Sequence, residues 1–306
     1  MSADAAEAGA AAKAHWADVA AIAICTLAWG TTWYAITLQF GVVDPVISLV
    51  YRFGLASALL FVWCRLRGEA IALTRPQHLA ALGMGVCNFA MNYALVYWAE
   101  ERVTSAVVAV VFAAMMFSNL VTFRVAFAQR APAFAWLAAG LGVVGVGVLS
   151  AEELASSHMD ARALSGIGLA LAAVIAASSG NAYARRGEVA GAGVAAFTAW
   201  GMAYGVCGLV LFALVTGKAW AFEPTWEYAL SLLHLSINGS VVAFLLYFGL
   251  ARRRGYGTAS YISALTPPVA MLVSSAFEAK TWGLAALGGV ALVLVGQVLL
   301  LRVKRA

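Results

Sequence analysis

Ten stretches of about twenty mostly apolar residues follow one another along the chain, at roughly 18–38, 46–66, 77–98, 103–124, 133–150, 165–186, 192–216, 227–250, 258–277 and 281–302. That length is what an α-helix needs to cross the hydrocarbon core of a bilayer. In hydrocarbon every backbone polar group must be paired within the structure, which restricts spanning segments to helices and closed barrels. The runs are about twice as long as a barrel strand, so the predicted fold class is an all-α integral membrane protein with ten transmembrane helices. Only 11% of the residues are charged and 63% are hydrophobic, with a mean hydropathy of +0.88. A soluble domain would carry about a quarter charged residues. The net charge of +5 invites a nucleic-acid reading, but the basic residues sit in short loops and form no stripe, so the expected macromolecular environment is the lipid bilayer and no nucleic acid. The four cysteines (Cys25, Cys64, Cys87, Cys207) all lie in apolar runs. They read as small buried hydrophobes and not as a disulfide or metal framework.

The chain is also written twice. NFAMNYALVYWA begins at Asn88, and Asn238 follows 150 residues later; Tyr97 and Tyr247 keep that offset. Ser105-Ala106 answers Thr258-Ala259, Gly140 and Gly147 answer Gly289 and Gly296, and Trp29-Gly30 answers Ser179-Gly180. Self-similarity over this period means one structural unit made twice. The expected organisation is a tail at 1–17, a first repeat at 18–150 and a second at 165–302.

Five spans per repeat is an odd number, so the second repeat enters the membrane upside down. Of the 19 Lys and Arg residues, 14 fall on one side of this topology and four on the other, with Arg52 inside a span. Arg65 and Arg67, Arg185 and Arg186, and the run Arg252–Arg254 carry most of the bias. Positive residues stay in the cytoplasm, so both termini and the tail are expected there. Inverted repeats of this kind place a substrate site near the midplane, in a central cavity between the halves.

WGTTWYAI in the first span, YRFGLASALL in the second and YGTASYISALTPPVAMLVSS in the ninth resemble the EamA branch of the drug/metabolite transporter superfamily, as do the glycine-spaced last helices of each half. The aromatic-rich sequence is most similar to the aromatic amino acid exporters of bacterial inner membranes. The resemblance implies a multi-pass inner-membrane exporter of aromatic or other neutral amino acids, working by alternating access as a monomer without cofactor or metal. Efflux of cationic drugs is the alternative within transport. One difference between the repeats stands out: the second has Thr266-Pro267-Pro268 where the first has Ala113-Ala114-Met115. A proline bend is expected in one half only, with Pro267 and Pro268 in a gating role.

Polar residues in hydrocarbon are costly unless they meet a partner or a cavity. Met84, Asn88 and Asn92 share one face of the third span, and His234, Asn238 and Leu245 a comparable face of the eighth. Amides donate and accept, which suits a zwitterion; they also bind helices to one another. Aromatic rings gather on the same helices, among them Trp29, Trp33, Tyr93, Tyr97, Trp98, Trp200, Tyr204, Tyr247 and Tyr261. Some belong to interfacial belts, Trp98, Trp220, Trp226 and Trp282 foremost. The candidate cavity residues are Trp29, Asn88, Asn92, Tyr97, His234, Asn238, Tyr247 and Tyr261. Arg52, one or two turns inside the second span, either snorkels and pairs with Asp44, Glu100 or Glu101, or faces the outer cavity as a gate and draws in a substrate carboxylate. His234 is either packing or a proton relay.

Other classes find little support. Ser178, Ser179 and His234 evoke an intramembrane hydrolase, but the glycine two residues before the serine is missing. The four histidines are scattered without metal-ligand spacing, and no filter-like loop suggests a channel. All 14 acidic residues are placed in the tail, the loops or the span ends. A proton antiporter needs a titratable group in the membrane, so the expectation is facilitated movement without obligatory proton exchange.

Overall fold

Each of the apolar runs becomes a helix. The computed structural model describes residues 3–156, 160–279 and 281–303. Ten membrane-crossing helices are found there: α1 Ala3–Thr37, α2 Pro45–Arg67, α3 Arg75–Glu100, α4 Ser105–Phe127, α5 Ala133–Ser156, α6 Ala161–Val189, α7 Val194–Val215, α8 Trp226–Arg254, α9 Tyr256–Phe277 and α10 Leu284–Val303. Their ends follow local chemistry. The Asp44 carboxylate accepts from the Val46 amide and Pro45 opens α2, satisfying donors that a helix start leaves free. Gly68 closes α2 in the left-handed conformation, at φ 66°. Two boundaries differ from the sequence reading. Residues expected as a tail belong to α1, which runs unbroken from Ala3. Arg252, Arg253 and Arg254 are the last turn of α8 and not a loop. Only Gly255, at φ 85°, separates that turn from α9.

The packing exchanges the two halves. Helix α1 packs on α9 as α6 packs on α4; α3 meets α6 as α8 meets α1; α3 meets α7 as α8 meets α2. The pairs α2–α7, α5–α10 and α4–α9 map onto themselves. Adding five to each helix number, cyclically, therefore reproduces these main pairings, as expected of two five-helix repeats related by a twofold exchange, although the α1–α4 contact has no comparable counterpart between α6 and α9. The core is centred on α4, where Ala106–Val111 are buried throughout. Leu66, Val125, Ile175, Leu211, Leu214 and Val215 point outward, as lipid-facing residues must.

Departures from regular helix are few and recur. A π-helical turn occupies Gly85–Met91 in α3 and another Ile237–Val242 in α8. In α4 a 3-10 turn at Phe112–Ala114 stands at the repeat position of Leu265–Pro267 in α9. The proline asymmetry expected from sequence is thus only half the picture. Both fourth helices are irregular at one level, one through prolines inside the helix and one through tightened hydrogen bonding.

On the face carrying the arginine-rich ends, Asp18 of α1 holds Arg253 and Arg254 of α8, at 3.0 and 2.6 Å. On the opposite face the Ser105 hydroxyl at the start of α4 donates to the Glu278 carboxylate just past α9, at 2.6 Å. Helices α5 and α10 touch through backbone. A Cβ added to Gly145 would stand 2.3 Å from the Gly289 carbonyl oxygen, and one added to Gly289 would stand 2.6 Å from that of Gly145. Gly140 and Gly147, which sequence paired with Gly289 and Gly296, have open space around them. The glycines that meet are not repeat mates. Gly145→Val is therefore expected to lower stability in detergent by about 1–3 kcal/mol, the usual cost of forced overpacking, whereas Gly147→Ala leaves it unchanged within error; thermal unfolding of the purified protein reads both.

Candidate functional site

Six helices wall a cavity at the junction of the halves. Helix α1 contributes Trp29, Thr32, Trp33 and Ile36; α3 contributes Asn88, Asn92, Tyr93 and Val96; α4, α6, α8 and α9 complete it with Phe112, Met115, Ala177, Asn181, Phe244, Tyr247, Ser263 and Thr266. The cavity opens to its surroundings, and the space between its walls out to the mouth, open space included, is about 670 Å³. The irregular turns of α3 and α4 line it directly, and that of α8 and the prolines of α9 lie within a residue or two of its lining. Asn88 lies in the α3 π-turn, Phe244 just beyond the α8 π-turn, Phe112 in the 3-10 turn and Thr266 against the prolines.

The walls are rings. Trp29 packs against Phe244 and Tyr247 with centroids 5.3 Å away in each case, and Trp33 lies 4.9 Å from Phe112. Trp29 is held by its indole N–H, which donates to the Gly239 carbonyl at 3.0 Å. The cavity also offers unanswered hydrogen-bonding groups. The Asn92 amide nitrogen donates to the Asn88 carbonyl at 3.2 Å, while its Oδ1 and the Trp33 Nε1 have no partner. One acceptor and one donor are thereby left for a guest.

At the edge nearer the arginine-rich face a polar network joins four helices. The Asn181 amide donates to the Tyr247 hydroxyl and to Asn119 Oδ1, both at 3.2 Å. The Ser178 hydroxyl donates to Asn119 Oδ1 and, its one proton so used, can accept from the Thr122 hydroxyl, each at 2.9 Å, and the Asn119 amide donates to Ser260 Oγ at 2.9 Å. Sequence reasoning singled out neither Asn119 nor Asn181. The same rule that raised Asn88, an amide within an apolar run, would have found both.

Of the sequence-expected residues, Trp29, Asn88, Asn92 and Tyr247 line the cavity. Tyr97 is buried outside it, its hydroxyl donating to Gln39 at 2.7 Å. Tyr261 is buried in the start of α9 and does not line it. Asn238 is exposed and His234 half-buried, so the proposed pairing of Asn238 with Asn88 across one site does not hold. Instead Asn238 bonds His234 Nδ1 at 3.1 Å, and His234 Nε2 meets the Thr31 hydroxyl at 3.0 Å, which ties α8 to α1. The π-turns explain the mismatch: that of α3 begins at Gly85 and that of α8 at Ile237, two residues later in the repeat frame. The Ser–His pairing of a hydrolase is likewise not formed, since Ser178 serves the Asn119 network and Ser179 donates to the Ile175 carbonyl. Pro267 and Pro268 lie inside α9 beside the cavity residue Thr266. Pro267 removes the donor that the Ser263 carbonyl would have had.

Two charges differ most from expectation. Arg52 neither snorkels nor pairs with an acid. Its side chain is 0% exposed, and its Nε donates to Ser240 Oγ at 3.1 Å. Asp44 is held by Lys218 at 2.8 Å, and Glu101 lies 3.7 Å from Arg102. Glu100, expected on the outer surface, is 7% exposed, and neither carboxylate oxygen has a partner. As the last residue of α3 it looks in sequence like any loop acid.

Comparison with known proteins places the chain among transporters. The EamA-like transporter family matches residues 16–151 and 164–302. A protein of Escherichia coli K12 named "Uncharacterized inner membrane transporter YedA" is 26% identical over 254 residues, 83% of this chain and 80% of that protein. Protein PagO of Salmonella typhimurium LT2 is 23% identical over 255 residues, 81% of each. A crystallographic chain 17% identical superposes with a TM-score of 0.69, covering 94% of this chain and 97% of its own, a likeness of fold.

Asn181→Ala removes the donor shared by Tyr247 and Asn119, and Asn88→Ala removes a cavity amide. Each is expected to cut transport at least about tenfold, the worth of one or two buried hydrogen bonds, whereas Asn238→Ala stays within about twofold of the parent. Initial rates in proteoliposomes at equal protein incorporation distinguish these outcomes.

Proposed function

This chain belongs to the EamA-like transporter family, and from that premise we propose that it exports small neutral or zwitterionic metabolites, aromatic and other neutral amino acids first, across a bacterial inner membrane by alternating access. The observation that carries the reading is the cavity between the repeats, with aromatic walls and amides at its polar positions. Rings match an aromatic side chain, and amides serve both ends of a zwitterion. The arginine-rich face is assigned to the cytoplasm, together with both termini. The contacts that close the two faces, Asp18 with Arg253 and Arg254 on one and Ser105 with Glu278 on the other, suit a carrier that opens one side at a time, and a single chain suffices for it. The cationic-drug alternative gains nothing from Arg52, a buried guanidinium without an acid partner, and rests on Glu100, the buried acid a cation could meet.

A second reading concerns energy. The expectation of uncoupled transport rested on having no acid inside the membrane-spanning part. Glu100, buried and unpartnered, meets the requirement for a proton-exchanging group.

Two measurements test these readings. Proteoliposomes preloaded with unlabelled tryptophan are expected to take up labelled tryptophan by counterflow, with phenylalanine and tyrosine competing. Failure of every aromatic and neutral amino acid to move or compete would remove the amino acid assignment. With substrate equal on both sides, an imposed pH gradient tests the coupling: net accumulation that follows the gradient and vanishes in Glu100→Gln establishes proton exchange, and no accumulation with either protein leaves facilitated transport.

A further inference from the structure

Arg52 is buried in α2 among groups that shape it without neutralising it. Ser240 Oγ accepts from Nε and itself donates to the Leu235 carbonyl at 2.8 Å, five residues back in the α8 π-turn. The guanidinium lies over the Tyr93 ring at 4.4 Å and near Phe53 at 5.1 Å. One terminal nitrogen stands 3.4 Å from where a Gly239 Cβ would be, so the missing side chain makes room for it. Among the described residues neither terminal nitrogen makes a hydrogen bond of good geometry, and the Tyr93 and Tyr97 hydroxyls lie near the guanidinium. The acids near this end are engaged elsewhere, except Glu100, which feels the Arg52 charge without forming an ion pair with it. Asp44 is with Lys218, Glu101 near Arg102 and Glu278 with Ser105. Glu100 stands about two helical turns beyond Tyr93 on α3, and no ion pair joins it to Arg52 among the described residues.

A buried guanidinium with a free planar fork is an incomplete anion site. Its position supplies the missing half. Tyr93 lines the cavity with one face against the guanidinium. Thr32, also lining the cavity, touches Gly239, whose carbonyl in turn holds Trp29. One layer of side chains thus separates the fork from the cavity. We propose that Arg52 is the carboxylate-binding residue of the transport site. The substrate carboxylate lies across its two terminal nitrogens once Tyr93 and Thr32 give way, and the Ser240 contact and the Tyr93 ring keep the fork in plane. The inference rests on the cavity being the transport site. It narrows the cargo to small metabolites bearing a carboxylate, amino acids among them.

The test measures binding to the full-length protein in detergent, by thermal shift and by competition. Acid and amide probes are paired: tryptophan with tryptophanamide, and benzoate with benzamide. The parent is expected to favour the acid at least about tenfold, as for hydrogen bonds to a charged group. That preference should vanish in Arg52→Gln and weaken in Arg52→Lys, which keeps the charge without the fork. A parent that treats acid and amide alike overturns the proposal. So does full preference in Arg52→Gln or, should that variant not fold, in Arg52→Lys. If benzoate shows an Arg52-dependent preference while amino acids neither bind nor move, the amino acid reading falls and the Arg52 site stands. If amino acids are transported with a preference that ignores Arg52, the reverse holds.

Discussion

Inside a bilayer no water repairs a broken backbone hydrogen bond, and this structure is organised by that constraint. The chain answers it with long regular helices nearly everywhere. Among the described residues it relaxes the rule at the π-turns of α3 and α8, the 3-10 turn of α4, and the Ser260 turn and proline pair of α9. Each is a point where carbonyls or side chains leave the regular ladder, and those of α3 and α4 and the residue before the α9 prolines line the cavity. π-bulges are commonly found at functional sites, and irregular backbone at membrane depth is tolerated where it is buried or lines a cavity. The irregularities and the cavity therefore explain one another.

The same constraint governs the side chains. Hydroxyls and amides that would be expensive in lipid are gathered into the network of Asn119, Ser178, Asn181, Tyr247 and Ser260. Helices from both repeats share it, α4 from the first and α6, α8 and α9 from the second. Such a network fixes their rotation about their own axes, and so fixes which rings face the cavity. Small residues let backbones meet where no polar anchor exists, as between α5 and α10.

Much of this was legible in the residues. The apolar runs specify the spans, the 150-residue offset specifies the exchange of halves, and of the candidate cavity residues Trp29, Asn88, Asn92 and Tyr247 line the cavity while Tyr97, His234, Asn238 and Tyr261 do not. What escaped has local physical causes. Asn238 was read as the mate of Asn88, but a π-turn that starts two residues later rotates it away from the cavity. Glu100 was read as a surface acid because a helix end says nothing about what packs over it. Arg52 was expected to reach water or an acid; Gly239, Ser240 and Tyr93, all distant in sequence, instead close around it. Helix periodicity foretells a face only while the helix stays regular.

The single-residue junction at Gly255 has a mechanical consequence. A connection this short, at a backbone angle suited to glycine, leaves no slack between the end of α8 and the start of α9. Asp18 grips the last turn of α8 from α1. The first turn of α9 is thus anchored with α8 and α1, while the turn at Ser260 sets it off from the proline-bearing remainder of the helix.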